Sequence, residues 1–248
     1  MISVCMATHN GGKYIKEQIE SILLQVGDND EIVISDDGSD DDTLQILRNL
    51  NDNRVRLVHY SSKDKYLPSV EKATQNFQNA LVHCKGDYIF LADQDDVWTD
   101  DKISVMMEYL KHYPYIVSDC YVTDDGLRVI SDTRFVAEEK IHFNKYMALV
   151  LSTPYQGSCA AFRREVLEKA LPFPEHLQSH DRWIGNVAAF FFSVNIIPEK
   201  LIYYRRHERT TSSTFGGSSR TNLLKTIWYK WIYVKGIIRL KICTLSRK

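Results

Sequence analysis

The first hundred residues alternate short apolar segments with amphipathic ones, and this alternation restricts the chain to few architectures. Apolar segments of strand length cover residues 2–8, 31–35, 55–60 and 88–92. Between them, apolar residues recur at helical spacing in segments 14–25, 43–50 and 70–84. Strands joined by helices of this length form crossover units, so the sequence predicts an α/β fold with a mainly parallel central sheet flanked by helices.

The fourth apolar segment runs directly into three carboxylates within four positions, Asp93, Asp95 and Asp96. Like charges at the end of a buried strand repel one another and resist desolvation, so they favour a bound cation or a shifted protonation state. Mg²⁺ binds through one or two carboxylates and completes its shell with water and substrate phosphates. The run therefore predicts a divalent-metal site. The alternative is capping of a helix that begins near Thr99, for which one aspartate suffices.

Polar residues also follow the first two predicted strands, in segments 8–12 and 36–39. In a parallel sheet the ligand site lies at the carboxyl ends of the strands. Both segments and the carboxylate run are therefore expected to line one edge of the sheet.

Beyond residue 102 the alternation weakens. A helix is expected to about residue 112, a turn at 124–126, strands at 115–122 and 158–163, and helices at 165–171 and 181–192. This half is expected to carry the second ligand. The segment 210–219 is rich in Ser, Thr and Gly, which predicts a mobile connection to the tail.

Charge and cysteine content indicate the cellular setting. Residues 220–248 hold eight basic and no acidic side chains, which leaves a net charge of −9 on the rest of the chain. The five cysteines lack the spacing of a zinc or redox site and indicate reduced thiols. No export signal is evident, and no apolar run approaches the roughly 20 residues of a bilayer span. We expect a cytoplasmic protein, at the inner face of the cell membrane, without a nucleic-acid partner.

Four motifs in this order resemble the family 2 glycosyltransferases, which transfer a sugar from a nucleotide donor with inversion at the anomeric carbon. They are residues 4–11, 34–39, 86–98 and 179–183. The resemblance covers about residues 1–210. It implies a nucleotide-diphospho-sugar transferase fold, which is GT-A-like and Rossmann-like, with a helical tail at the carboxyl end. It further implies a division into a transferase domain, 1–219, with a nucleotide-sugar half (1–98) and an acceptor half (99–219), followed by the tail, 220–248.

The resemblance assigns the carboxylate run to the Asp-x-Asp element of the family. Asp95 would hold Mg²⁺ or Mn²⁺, and Asp93 would lie near the ribose and the metal, with Asp96 a contender for either role. A bound cation neutralises the charge that builds on a leaving nucleoside diphosphate. His207 aligns with a histidine that reaches the metal or the diphosphate in many relatives. Its alternative is a structural histidine at the end of a strand.

Asp37 matches the carboxylate that accepts a hydrogen bond from the pyrimidine N3–H in the family. Thr8, His9 and Asn10 match the loop beside the base. His9 departs from the tyrosine common at its position, although an imidazole can also stack on a pyrimidine. The alternative for segment 36–39 is a strand-to-helix turn with its cap.

Asp181 falls in the acidic motif that supplies the general base in the family. Inversion by single displacement needs such a group to take the proton from the attacking hydroxyl, and a carboxylate at a helix N-terminus is stabilised as the anion. Its alternative is an ordinary N-cap. Gln156 and Gly157 match the region that borders the acceptor, where an amide can hydrogen-bond a sugar hydroxyl and a glycine permits close approach.

The resemblance implies a UDP- or dTDP-sugar donor and a saccharide or lipid-linked saccharide acceptor in cell-surface polysaccharide synthesis. Processive members carry Gln-x-x-Arg-Trp and membrane spans. Here Gln178 lies one position too far from Arg182 and Trp183. We therefore expect addition of one sugar per encounter.

The tail is compatible with a helix over residues 221–242. Its Trp, Tyr and flanking Lys residues favour peripheral contact with an anionic membrane. The alternative is a helix that packs on the domain.

Two other functions fit part of the pattern. Phosphohydrolases with an aspartyl nucleophile place Asp-x-Asp after the first strand, whereas here it follows the fourth. A non-catalytic nucleotide-sugar-binding partner would have lost its chemistry, yet Asp95 and Asp181 are both present.

Overall fold

The computed structural model describes residues 1–62, 66–134, 145–150, 155–207 and 223–246. Within them, nine strands form one sheet. The strands are β1 (Ile2–Thr8), β2 (Glu31–Asp37), β3 (Val55–Tyr60), β4 (Tyr88–Ala92), β5 (Val97–Trp98), β6 (Tyr115–Thr123), β7 (Val129–Ser131), β8 (Ala160–Arg163) and β9 (Val194–Arg205). The helices are α1 (Ile15–Leu23), α2 (Thr43–Asn49), α3 (Ser69–His83), α4 (Lys102–Leu110), α5 (Lys145–Val150), α6 (Arg164–Ala170), α7 (His180–Phe191) and α8 (Leu223–Leu245).

The strand order is β3-β2-β1-β4-β8-β6-β9-β5, and β7 pairs with β6 outside this path. The first four strands in this order are mutually parallel, as predicted. The order reverses beside β1, which is where open α/β sheets bind their ligands. All seven strands and helices predicted in the first hundred residues are present, within one or two residues of their expected ends.

The second half of the sheet is mixed. Strand β8 is antiparallel to both β4 and β6, and β5 is antiparallel to β9, whereas β6 and β9 are parallel. The sequence predicts no strands at the positions of β5, β7 and β9. Strands β5 and β7 are too short to display a period, and β9 interrupts its apolar residues with Asn195, Glu199 and Lys200.

The core lies on both faces of the sheet, so the first strands are apolar on both sides. Val4 and Cys5, which are adjacent on β1 and point to opposite faces, are both fully buried, and so are Phe90 and Leu91 on β4. Helix α1 covers one face through Ile15 and Ile19 at helical spacing. A sheet that is buried on both faces leaves its strand ends as the accessible places for polar side chains.

Helix α8 packs on the domain through one face. Tyr229, Tyr233 and Ile237, each four residues apart, are buried. The Tyr229 hydroxyl donates to Glu71 Oε1 on α3 at 2.8 Å, and the guanidinium of Arg182 lies 5.0 Å from the ring centroid of Tyr233. The alternative prediction of a tail packed on the domain is therefore confirmed for this face.

No helix in the described ranges combines the length and apolarity that a membrane crossing requires. The predicted mobile segment 210–219 and the first two residues of the predicted tail helix lie outside the described residues. The division at residue 219 stays a prediction, and one sheet runs through both predicted halves of the transferase domain.

Candidate active site

The loops after β1 and β2 are joined by a dense set of hydrogen bonds. Asn10 has a positive φ of 52°, its N–H donates to Ser39 Oγ at 2.8 Å, and its Oδ1 accepts from the Asp40 N–H at 2.9 Å. Gly38 also has a positive φ, of 65°, which only glycine adopts freely. His9 Nδ1 lies 2.9 Å from the carbonyl oxygen of Asp37. The predicted base-binding residues are thus brought together.

The two adjacent aspartates of β2 have different environments. Asp36 is buried and accepts from the Thr8 hydroxyl at 2.8 Å and from the Ser39 N–H and hydroxyl. Asp37 is partly exposed and accepts from the Ser62 N–H at 3.2 Å. Asp36 therefore organises the turn, and Asp37 is the carboxylate available to a ligand. Thr8 is itself buried beneath the loop, so its expected contact with the base stays a prediction.

The carboxylate run is attached to the first loop through Gln94. Its Oε1 accepts from the His9 N–H at 3.0 Å and its Nε2 donates to the His9 carbonyl at 3.2 Å. A Cβ added at Gly11 would lie 2.4 Å from Gln94 Oε1, so a larger residue there would displace the Gln94 amide from the loop. Gln18 on α1 donates to the Asp93 carbonyl at 2.9 Å. The predicted nucleotide and metal segments therefore form one continuous edge.

Asp95 and His207 lie together although 112 positions separate them. His207 Nε2 is 2.8 Å from Asp95 Oδ2. The Tyr14 ring stacks on His207 with a centroid distance of 4.7 Å, and its hydroxyl donates to Asp125. The structure therefore brings two of the three predicted metal ligands into direct contact.

Asp96, the carboxylate whose role the sequence left open, points inward. It is fully buried, and its Oδ1 accepts from the Arg205 N–H at 3.0 Å. Arg205 also donates to the Asp95 carbonyl at 2.9 Å and to Glu17, so its guanidinium is committed within the fold. Burial, together with the charges of Asp95 and Asp93, raises the pKa of Asp96 well above its usual range. Asp96 therefore anchors the end of β9.

Asp181 lies in the first turn of α7 and faces the segment that precedes β8. Its Oδ2 accepts from the Gly157 N–H at 3.1 Å, and its Oδ1 accepts from the Arg182 N–H at 2.6 Å and from the Ser179 hydroxyl. Ser179 is the N-cap residue, so Asp181 is not needed as the cap. Burial lowers the pKa of the adjacent His180 to about 4, so that ring stays neutral beside the carboxylate.

Gly157 and Gln156 lie close to Asp181 but are both buried. A Cβ at Gly157 would lie 3.1 Å from His180 Nε2 and 3.5 Å from Asp181 Cβ. The close approach that the sequence predicted at Gly157 is therefore made to α7. Gln156 is 7% exposed and its Nε2 lies 3.5 Å from Ser158 Oγ, so contact with an acceptor would need the amide to turn outward. Its acceptor role stays a prediction.

Asp93 is affected by the negative charges of two other aspartates, Asp95 beside it and Asp181 on α7. Burial, the Asp95 charge and the Asp181 charge raise the pKa of Asp93 to about 7, whereas Lys102 and Arg134 act in the opposite direction. Asp181 is thus close enough to the carboxylate run to influence its ionisation. The edge of the sheet concentrates negative charge, which a cation or cationic ligand would offset.

The described residues contain no group of three or more His, Cys, Asp or Glu side chains arranged to hold a metal ion. A cage built from protein ligands alone is thus not present among them. Asp95 and His207, whose side chains touch, could still supply one or two ligands to a hard cation that completes its shell with diphosphate oxygens.

Comparison with known proteins identifies the family. The family model described as glycosyl transferase family 2 matches residues 3–171. The chain belongs to glycosyltransferase family 2. A dTDP-rhamnosyl transferase, RfbG of Shigella flexneri, is 39% identical to this family 2 chain over 111 residues, which cover 42% of the chain and 36% of the relative. The chain spans between 36% and 65% of the length of the first curated relatives it matches.

Two solved structures support the GT-A fold of this family 2 member. Staphylococcus aureus TarS 1–349 in complex with UDP-GlcNAc superposes with a TM-score of 0.68 at 18% identity, over 94% of this chain and 66% of that one. The mannosyltransferase PcManGT from Pyrobaculum calidifontis, in complex with GDP-Man and Mn²⁺, gives 0.61 at 23% identity, over 84% and 57%. The predicted fold class is confirmed.

Three residues of the site were not singled out from the sequence. The position of Gln94 inside the carboxylate run could have marked it in the sequence, and the structure places it against Gly11. No sequence signal marks Tyr14 or Lys102, because their partners His207 and Ser158 are distant in the chain. Such contacts become visible only when the fold is known.

Proposed function

We propose that this chain moves one sugar from a UDP- or dTDP-sugar to a hydroxyl of a saccharide or lipid-linked saccharide, with inversion, during cell-surface polysaccharide synthesis. The observation that carries this proposal is that carboxylates from three parts of the chain lie at one edge of the sheet. Asp37 ends β2, Asp93 and Asp95 follow β4, and Asp181, in the first turn of α7, is near enough to act on the ionisation of Asp93. Family membership supplies the reaction class.

A pyrimidine donor is supported by Asp37. Its partly exposed carboxylate can accept the N3–H of uracil or thymine, and His9 beside it can stack on the ring. The relative RfbG is named as a dTDP-rhamnosyl transferase, and TarS was solved with UDP-GlcNAc, which agrees with this donor class.

A divalent cation, Mg²⁺ or Mn²⁺, is supported by the charge at the diphosphate position. Asp95, His207 and Asp93 are the side chains that would hold it, and PcManGT was solved with Mn²⁺. Bound there, the cation would act as a Lewis acid toward the leaving diphosphate. Tyr14 holds the His207 ring in place by stacking.

Asp181 would be the general base. The acceptor oxygen attacks the anomeric carbon, the bond from that carbon to the diphosphate oxygen breaks, and the acceptor proton passes to an Asp181 carboxylate oxygen. The Gly157 N–H and the Ser179 hydroxyl fix the orientation of this carboxylate. His180, whose pKa is lowered to about 4 by burial, is neutral and does not form an ion pair with this carboxylate.

Contact with the inner face of the cell membrane is supported by the outer face of α8. Exposed apolar side chains recur at spacings of three, four or seven residues, which place them on one side of the helix, and we call them the apolar stripe: Ile227, Trp231, Ile238, Ile242 and Leu245. Basic residues border the stripe, with Lys235 and Arg239 on one side and Lys241 on the other. Such a face suits an anionic lipid surface, where a lipid-linked acceptor would reside.

A binding screen tests the donor and metal assignments. Isothermal titration calorimetry with UDP, dTDP and GDP, each with and without Mn²⁺, should give tighter binding for the pyrimidine nucleotides and require the metal. Asp95→Asn should weaken Mn²⁺-dependent binding about tenfold or more, since it removes a charged ligand. Asp37→Asn should weaken UDP binding while leaving the Mn²⁺ requirement intact. Equal affinity for GDP in the wild-type protein would contradict the pyrimidine assignment.

A further inference from the structure

Lys102, the first residue of α4, has an unusual environment for a lysine. Its side chain is fully buried, and Nζ lies 4.3 Å from the ring centroid of Trp98. Lysine is almost never fully buried without a partner, because removing an ammonium group from water is costly. The partner is the carbonyl oxygen of Ser158, which accepts from Nζ at 2.5 Å.

Ser158 belongs to the short 3-10 helix Gly157–Cys159, which leads into β8. Because β8 is antiparallel to β4 and Ala161 pairs with Phe90, this segment lies beside the carboxyl end of β4, where the carboxylate run begins. The neighbouring Gly157 N–H donates to Asp181 Oδ2 at 3.1 Å. One residue of backbone thus separates the Lys102 contact from the Asp181 contact.

The surroundings of Lys102 suit a retained positive charge. Burial lowers the pKa of Lys102 to about 8, and the groups that oppose this drop include Cys159, Asp96 and Asp93. Lys102 therefore lies between the carboxylate run and the segment that holds Asp181.

We propose that Lys102 is a positioning residue for transfer: its ammonium group holds the Ser158 carbonyl and thereby fixes the Gly157 N–H that orients the Asp181 carboxylate. This inference rests on the proposed role of Asp181 as the base. It assigns Lys102 no contact with donor, acceptor or metal.

The test compares Lys102→Met with the wild-type chain, since methionine keeps the shape and removes the charged donor. Turnover is measured as release of nucleoside diphosphate from UDP-glucose, UDP-N-acetylglucosamine and dTDP-rhamnose, with water as the acceptor. We expect kcat to fall about tenfold or more while the affinity for UDP with Mn²⁺ changes less than about twofold. Lys111→Met is the matched control, because that lysine caps the other end of α4 and is exposed, and it should leave both quantities unchanged.

A second variant separates positioning from charge balance. Lys102→Met removes a positive charge that interacts with the buried Asp96 carboxyl, so the variant is expected to lose thermal stability. Adding Asp96→Asn replaces that carboxyl by a neutral group and keeps an oxygen to accept from the Arg205 N–H. The double variant should recover its melting temperature but not its kcat. Recovery of kcat together with stability would overturn the proposal, since Lys102 would then only balance a buried charge.

Hydrogen exchange gives a readout that does not depend on turnover. The amides of residues 156–159 should exchange faster in Lys102→Met and in the double variant than in the wild-type chain, and unchanged exchange would overturn the proposal. If the wild-type chain turns over none of the donors, the proposed function fails, and the exchange result alone then decides whether Lys102 holds the segment.

Discussion

At the scale of single residues, neighbouring identical side chains have different tasks. Asp36 is buried among hydrogen-bond donors, whereas Asp37 is partly exposed at the base end. Asp96 turns inward to the Arg205 N–H, whereas Asp95 meets His207. A motif read as letters cannot separate such pairs, because the distinction depends on which donors the fold brings to each carboxylate.

Gly157 provides a test of how closely the acceptor segment must approach α7. Gly157→Ala would place a Cβ 3.1 Å from His180 Nε2 and 3.5 Å from Asp181 Cβ, so the segment and the helix must move apart by a few tenths of an ångström. We expect turnover to fall about tenfold, because reaction rates are sensitive to small displacements of a positioned group.

Calorimetry with UDP and Mn²⁺ on Gly157→Ala should give nearly wild-type affinity, since the nucleotide residues lie on other loops. Gly27→Ala is the control, because the nearest atom to its new Cβ lies 3.5 Å away in an exposed turn. Wild-type turnover in Gly157→Ala would show that this approach is not required.

At the scale of elements, the first half of the fold follows from local pattern. Strands β1, β2 and β4 are short, largely apolar runs that are buried on both faces, and the helices between the first strands carry apolar residues at helical spacing, so local pattern predicts both kinds of element. The second half of the fold does not follow from local pattern. Strand β5 has two residues, and β8 joins the sheet antiparallel to its neighbours through contacts between distant parts of the chain, which no local pattern encodes.

Glu31 links several of these elements and gives a pH-dependent prediction. It accepts from the Ser3 hydroxyl at 2.6 Å, the Lys85 N–H at 2.5 Å and Arg56 at 2.9 Å. Burial opposes ionisation, but these partners outweigh it and lower the pKa of Glu31. A lowered pKa in the folded state stabilises the fold above the unfolded pKa, and the effect is lost as pH falls through the folded value.

Glu31→Gln should therefore reduce the free energy of unfolding by about 1–2 kcal/mol at pH 7, the scale of lost hydrogen bonds to a charged group. The difference from the wild-type protein should shrink below about pH 4, near the unfolded pKa of a glutamate, as Glu31 itself becomes protonated. Urea denaturation at several pH values measures both. Glu108→Gln, on an exposed pair with Lys111, should change stability little at any pH. A pH-independent loss for Glu31→Gln would contradict the assigned cause.

At the scale of the whole molecule, the sequence predicted which strand ends meet at one edge, but it did not predict the contacts that hold this edge together. The carboxyl ends of β1, β2 and β4 were expected at one edge, and they are. The base position at Asp181 depended on a family motif, because no local rule places the start of α7 beside Gly157. Helix α8 has both faces that the sequence weighed as alternatives: a buried face of Tyr229, Tyr233 and Ile237, and the exposed apolar stripe.

The apolar stripe gives a prediction about the whole molecule. Replacing Trp231 and Ile238 by Gln should reduce sedimentation with vesicles of phosphatidylglycerol about tenfold, because each buried apolar side chain contributes roughly 1.5–3 kcal/mol at most. Vesicles of phosphatidylcholine should bind weakly in every case. Leu24→Gln, which changes an exposed apolar residue at the end of α1, is the control and should bind as the wild-type protein does. If the double variant sediments with phosphatidylglycerol vesicles as well as the wild-type protein does, the apolar stripe is not the membrane-binding surface.

The turnover of Asp181→Asn tests the proposal that Asp181 is the base in sugar transfer. Asparagine keeps an oxygen to accept from the Gly157 N–H but cannot take a proton at neutral pH. The measurement is Mn²⁺-dependent release of nucleoside diphosphate from UDP- and dTDP-sugars, with UDP affinity measured in parallel. We expect turnover to fall at least about a hundredfold, which is the range that a general base contributes, and the affinity for UDP to stay nearly unchanged. Wild-type turnover in Asp181→Asn would contradict the proposal.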